Sequence, residues 1–348
     1  MFSWLLKLFP SLQPKLELGA LIDERPAAQR EAEDIKIEQV AKALVPVTWT
    51  EIPKEKVRFY GMWIQNQTGK SDCVAETRRK LKRILFFVNK GLTLDFSAVA
   101  FYRKRSNYPR PGMIATDAMK LDSEQGMTLD ALVPSEPVTT EAAANALQPE
   151  AFNDEVAKVF RTADVDVVFD PGDLDAPAGT IQKTRKGVMM WFFATYAEWS
   201  QEVPTIIDKL LTSPSHPRAV VVHSVPGIEP AIYKGKQGVW IDDSAHFGGF
   251  SRRFITREFY EKRNFWASYP ITFKFEVGTG SKPKYDKTII SVQKILRYEG
   301  MFPTNIDYVE NLGPVTRKGL REFQAKYKLP ETGELDTSTI VKLKSLYP

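Results

Sequence analysis

One cysteine occurs in the 348 residues of this chain, and its surroundings constrain the architecture more than any other stretch. The segment "QNQTGKSDCVAETRRKLKRILFFVN", Gln65 to Asn89, sets Cys73 directly after Ser71 and Asp72, two residue types that favour helix N-caps. Val74, Thr77, Leu81, Ile84, Leu85 and Val88 then fall at helical spacing on one face, and Glu76, Arg79, Lys80, Lys82 and Arg83 take the other. The pattern predicts an amphipathic helix with its apolar side inward and Cys73 in its first turn. Unsatisfied backbone N–H groups and the positive end of the helix dipole favour an anion there, and a thiolate is one. Such a setting, with cationic neighbours, can bring a thiol from ~8.5 down to ~3.5–7.5 and make it a nucleophile at neutral pH. The plain alternative is a small buried hydrophobic residue.

A chain of this length points to two domains, with a core large enough to need no disulfide, and one cysteine cannot form an internal bridge. Hydrophobic residues at 43% and charged residues at 26% are those of a soluble globular protein. There is no run of eighteen apolar residues to read as a transmembrane segment. Lys and Arg number 48 against 43 Asp and Glu, and the net charge of +5 suits an anionic surface such as a cell wall. No nucleic-acid motif accompanies that charge, and no cofactor or metal is expected. In "MFSWLLKLFPSL", Lys7 interrupts the apolar run and Pro10 ends it, so a short amphipathic segment docking on its own protein, a partner or a membrane is expected rather than a signal peptide. Leu16 to Arg25 reads as extended, and a charged helical stretch follows through Lys42.

Asn66-Gln67, a short Gly/Ser loop and Cys73-Val74-Ala75 resemble the active-site stretch of papain-like cysteine peptidases, where Gln, a turn and Cys-Trp-Ala follow in this order. The resemblance implies an α+β fold with a helical lobe and an antiparallel β lobe. It also implies that the Gln67 side chain joins the Cys73 backbone N–H in an oxyanion hole. Val74 stands where the family usually has Trp, and the second loop Cys is missing. Pro46 and Trp49 resemble the start of the mature domain in that family, with Trp49 in the core. Gly112 and Met113 would border the S2 side of the substrate groove, although Gly112 serves equally well as a turn glycine. Residues 134 to 180 read as surface helices and loops, and Val188 to Phe193 as a buried strand.

The family has a His at the head of a strand reading His-Ala-Val, then an Asn near the end of the next strand, before Ser-Trp. Both strands are visible here, in "RAVVVHSV" and "QGVWIDDSAHFGGF". Direct register puts Arg218 at the His position, Asp243 at the Asn position and Ala245 at the Trp position. Arginine can pair with a thiolate but cannot shuttle a proton. Of the three histidines, His216 precedes Arg218 with matching parity and is expected to be the base. His246, close to Asp243, is the alternative, and His223, of opposite parity, is expected to be structural. Asp243 either orients the imidazole or binds Arg218. With no working base, the chain is a degenerate peptidase kept as a scaffold for binding.

Residues 278–285, within "GTGSKPKYD", read as a linker. Beyond it, three amphipathic stretches place Ile290, Val292, Ile295 and Leu296, then Leu320, Phe323 and Tyr327, then Ile340, Leu343 and Leu346 on inward faces, the last helix opening on Asp336. The Phe-Gln and Thr-Gly-x-Leu-Asp signatures of this unit closely resemble the three-helix peptidoglycan-binding domain of bacterial and phage wall enzymes. The expected organisation is an extension (1–45), a papain-like domain (46–277), the linker, and a peptidoglycan-binding domain (286–348). Asn311, Arg317 and Tyr327 are candidate wall contacts. The expected function is a cysteine peptidase acting at the bacterial wall or carried in a phage particle, with a peptide or protein substrate, peptidoglycan and virion proteins as partners.

Overall fold

A computed structural model describes the chain apart from residues 1–19, 23–36, 41–45, 60, 61, 63, 65, 68, 149–150, 163–165, 271–272, 275–283 and 303–309. The N-terminal apolar dozen and most of the expected linker lie outside the described residues. Two compact units result, Met1–Lys274 and Phe275–Pro348.

The first unit begins with strands β1 (Ala20–Leu21) and β2 (Ile37–Val40), followed by helices α1 (Cys73–Lys90) and α2 (Ala98–Arg103). Next come β3 (Met113–Ile114), α3 (Ala115–Glu124), α4 (Glu141–Ala146), α5 (Ala151–Val159), β4 (Arg161–Thr162), β5 (Asp166–Phe169) and α6 (Asp175–Thr184). The β-rich half then runs β6 (Val188–Ala194), α7 (Tyr196–Trp199), β7 (Val221–Tyr233), β8 (Lys236–Asp242), β9 (Arg252–Thr256), α8 (Arg257–Arg263), β10 (Asn264–Pro270) and β11 (Phe273–Lys274). Seven strands form one sheet in the order β2-β5-β10-β6-β7-β8-β9. Its pairings are antiparallel except β2 with β5. Residues 37–40, inside a stretch expected to be helical, are therefore an edge strand: pairing with β5 overrides the local charge pattern.

β6 is buried over its full length, as its unbroken apolar run requires. Its period of two feeds two cores. Val188, Met190, Phe192 and Ala194 pack with Trp199, Val221, Val225 and Phe259. Met189 and Trp191 face the opposite way, into the cluster that holds Cys73, Phe86, Phe96 and Phe101. Each large side chain so buried contributes about 1.5–3 kcal/mol, so this strand fixes the helical half against the sheet. Trp49 is half-buried against the sheet core, with the Arg257 guanidinium 5.3 Å from its ring.

α1 ends at Gly91 in the left-handed conformation that closes helices. Its charged face also turns inward, unlike the one-sided helix read from the sequence. Arg78 reaches Asp122 at 2.9 Å, Lys82 pairs with the same carboxylate, Arg79 reaches Asp95 at 2.7 Å and Lys80 reaches Asp242 at 2.8 Å. All four cations are buried. The ring of acidic partners comes from three distant stretches, which helical periodicity alone does not reveal. Removing one partner would strand a buried charge at about 3–5 kcal/mol.

In the second unit, α9 (Ile289–Tyr298), α10 (Pro314–Lys326) and α11 (Thr337–Leu346) enclose Val292, Ile295, Leu296, Leu320, Phe323, Leu343 and Tyr347. Pro314 starts α10, and the Asp336 carboxylate caps α11 by accepting from the Thr339 N–H at 2.8 Å. Gln324 is buried, its Nε2 donating to Thr339 Oγ1 and its Oε1 accepting from the Gly333 N–H.

Candidate active site

Cys73 occupies the first residue of α1 beneath β7. Ser224 of β7 joins the two elements: its hydroxyl donates to Thr77 Oγ1 at 3.2 Å, and its backbone N–H lies against the Cys73 sulfur. The Val74 N–H, at the open end of the helix, approaches the same atom. Burial nevertheless pushes the thiol well up from its ordinary value, the Asp72 and Asp243 charges adding to the rise. In this closed arrangement the sulfur is a neutral thiol. The lowered thiol expected from the helix terminus is overridden because the sulfur is sealed from water.

The loop before Cys73 is pinned to the sheet. Gln67 donates its N–H to the Ser244 carbonyl at 2.8 Å, its Oε1 accepts from Ser244 Oγ at 2.6 Å, and its Nε2 donates to the Lys70 carbonyl. The carboxamide is thus held with its NH₂ side toward the Cys73 loop. Gly69 makes this turn possible: its φ is +76°, and a Cβ there would meet the Thr139 carbonyl oxygen at 2.2 Å.

The imidazole against Asp243 belongs to His223. Its Nε2 and Asp243 Oδ1 are 2.8 Å apart, both side chains being fully buried. Asp243 also accepts from the Ala245 N–H at 2.9 Å, from Trp199 Nε1 at 3.1 Å and from Arg253 Nε at 2.6 Å. Burial alone would raise this carboxyl, but His223 and Arg253 outweigh it and hold it well below the usual carboxylate range. An ionised carboxylate only accepts hydrogen bonds, so His223 Nε2 carries a proton and Nδ1 is the acceptor nitrogen. Nδ1 is buried without a hydrogen-bond partner among the described residues. The Trp199 ring closes over the imidazole edge-on, centroids 5.7 Å apart. It shields the His–Asp contact from α7, while the half-buried Ala245 occupies the position where the resemblance expects Trp.

His216, expected to be the base, lies in the turn before β7, where its Nδ1 accepts from the Arg218 N–H at 3.2 Å. Arg218 extends to Asp208 at 3.0 Å and not to Asp243. The difference comes from register: β7 begins at Val221, so the segment around Arg218 precedes the strand. The signal that finds His223 is His223-Ser224-Val225, which repeats the His-small-Val pattern five residues beyond the register chosen above. His246 sits in the loop after Asp243 with its ring bonded to the Ile64 backbone, and burial lowers its proton affinity. Trp199 and Arg253 carry no sequence signature of this site.

On the helical side, Gly112 donates its N–H to Tyr102 Oη at 2.9 Å, and Met113 is buried. β1 pairs with β3 in parallel, Ala20 with Met113 and Leu21 with Ile114, and also packs against β7. Ala20 is buried in the cluster that includes Met113 and Cys73. A strand of the chain itself thus spans from the expected groove border to the histidine strand. Among the described residues no group of three or more His, Cys, Asp and Glu is placed to hold a metal, and no helix is long and apolar enough to cross a membrane.

In the second unit, Arg317 pairs with Glu334 and Tyr327 Oη donates to Glu299 at 2.9 Å, while Asn311 is exposed. Two of the three candidate wall contacts are thus engaged within the unit.

Helical half, antiparallel sheet and thiol helix together form a papain-like cysteine-peptidase architecture, followed by a separate helical domain. Residues 286–343 match the family described as "Putative peptidoglycan binding domain". No curated protein matches the chain in sequence. Among solved structures, the chain is similar to xylellain, a cysteine protease from Xylella fastidiosa, at 12% identity and a TM-score of 0.54, covering 73% of this chain and 96% of that one. It is also similar to proCathepsin B S9 from Trypanosoma congolense, at 10% identity and a TM-score of 0.53, covering 75% and 88%. These likenesses establish the fold.

Proposed function

We propose that the chain is a cysteine peptidase with Cys73 as nucleophile, His223 as proton carrier, Asp243 as the orienting carboxylate and Gln67 as an oxyanion donor, tethered to peptidoglycan by its C-terminal domain. The observation that carries this reading is the buried pair of His223 on β7 and Asp243 just beyond β8, next to Ser224, whose backbone N–H reaches the Cys73 sulfur from the sheet. With Nε2 committed to Asp243, His223 Nδ1 takes the thiol proton as the sulfur attacks a carbonyl carbon, and the same proton then passes to the leaving amine. The Cys73 N–H, which has no intrahelical partner at the helix start, and the Gln67 amide stabilise the oxygen that becomes negative. Water then attacks the thioester carbonyl, His223 accepting its proton, and the acid leaves as the thiol re-forms.

The peptidoglycan-binding domain points to a substrate that is part of the wall or attached to it, a stem peptide or an anchored protein. β1, lying between β3 and β7, occupies the course a substrate strand would take beside Met113 and holds the site closed. The test is hydrolysis of purified sacculi and of an unfolded protein by the chain lacking residues 1–22, alone and with C73A or H223A. Activity that both substitutions abolish supports the proposal. Equal activity with C73A, or an opened chain that binds sacculi and cleaves neither substrate, contradicts it.

A further inference from the structure

Asp243 brings a full negative charge to a position where the family resemblance expects an uncharged amide. An amide would orient His223 without changing its charge balance. A bare buried carboxylate would tighten the imidazole's hold on its proton and oppose a thiolate at Cys73. The structure contains a counterweight. Arg253 of β9 is fully buried, and its Nε donates to Asp243 Oδ2 at 2.6 Å, on the oxygen that His223 does not use. Its Nη1 donates to the Gln201 carbonyl at 2.6 Å and its Nη2 to the Phe247 carbonyl, with the Trp199 and Phe250 rings 5.5 and 5.6 Å away. The guanidinium is therefore fixed at every end.

The other charged groups around the carboxylate do not do this. His246, on the same loop, bonds the Ile64 backbone. Asp242, one residue back on β8, is taken up by Lys80 and Arg252. Asp72, beside Cys73 on the α1 side, faces Lys70 at 3.4 Å. Among the described residues Arg253 is the cation in direct contact with Asp243, on the side opposite the His223 imidazole.

We propose that Arg253 is a positioning residue of the site: by neutralising Asp243 from the side opposite His223, it lets an aspartate serve where an amide would otherwise stand. The imidazole then answers to a near-neutral Asp–Arg pair, and the thiolate–imidazolium pair is not pushed apart by a lone anion. This inference rests on the reading of Cys73 and His223 as the reacting pair.

The test follows the His223 imidazole nitrogens by NMR through pH in the full chain, whose three histidines make assignment by substitution direct. Loss of the guanidinium in R253M raises the His223 midpoint by about one pH unit, and R253K, which keeps the charge, stays nearer the native value. Should R253M fail to fold because it leaves the buried Asp243 carboxylate underpaired, D243N and D243N/R253M make the same comparison with no unpaired buried anion. There the double variant titrates about one unit above D243N. Equal midpoints with and without Arg253 overturn the proposal. The underlying reading is checked separately by hydrolysis in C73A and H223A, both of which lose it. A His223 midpoint that ignores Arg253 while both variants lose hydrolysis rejects this inference alone, and hydrolysis that survives in C73A or H223A rejects the reading.

Discussion

In the C-terminal unit each helix answers to its own stretch of chain: Asp336 caps α11 three residues from Thr339, Pro314 opens α10, and Leu320 and Phe323 are one turn apart on the buried face. In the Cys73 site the partners are far apart in sequence. Cys73, Trp199, His223, Asp243 and Arg253 come from five different elements or their ends, and Gln67 is tied to Ser244 across the lobes. The C-terminal unit depends on local periodicity. The Cys73 arrangement depends on strand register and on buried charges meeting their partners, so a small change at one residue should reach the chemistry without touching the C-terminal unit.

The largest effect expected from that contrast concerns the histidines. H223A lowers hydrolysis by about 10³-fold, within the range for a lost acid–base group, while H216A stays within about twofold of native. Sacculus binding by both variants stays unchanged in a pull-down. A large loss in H216A would mean that the solution register differs from the one described here. F323A, which empties a fully buried aromatic site in the second unit, removes about 3–5 kcal/mol from that unit. It should abolish sacculus retention while hydrolysis of a soluble protein persists, and joint loss of both would show that the units are not independent.

Removing residues 1–22 takes β1 off the groove and leaves β2 in its sheet. Alkylation of Cys73 by iodoacetamide should rise by about tenfold, as expected when a covered state dominates by roughly that ratio. An unchanged rate would show that β1 does not limit access. The smallest effect lies in stability against pH. Burial, then the Asp72 charge, raises the Glu76 carboxyl from 4.5 to about 8, and burial raises Asp72 from 3.8 to about 6. Both folded values lie above the unfolded ones, so the folded state holds extra protons and its stability falls as pH rises from about 4 to about 8. E76Q should flatten the fall in Tm between pH 5 and 8. A Tm that rises over that interval in the native chain would contradict the burial assigned to these carboxylates.

The contrast also explains what the sequence disclosed. The three C-terminal helices were legible because each buried stripe is local, although Ile340 and Leu346 proved only half-buried, the short helix leaving its ends near water. α1 and β6 were legible for the same reason. The charged flank of α1 was not, since the partners Asp95, Asp122 and Asp242 enter from other elements. The imidazole that meets Asp243 belongs to His223 and not to His216, because β7 begins at Val221 and His223-Ser224-Val225 repeats the His-small-Val pattern that Arg218-Ala219-Val220 only approaches. Trp199 replaces the missing Trp at position 245 from another segment altogether, a substitution in space that no linear pattern records.

The claim that Cys73 and His223 share a proton is tested most directly by the rate of Cys73 alkylation across pH in the chain lacking residues 1–22, with His223 present and with H223A. We predict that once β1 no longer covers the sulfur, Cys73 holds an alkylation plateau below the ordinary thiol range, whereas H223A in the same background follows a plain thiol that reacts only as pH nears ~8.5. Superimposable profiles for the two proteins would contradict the account.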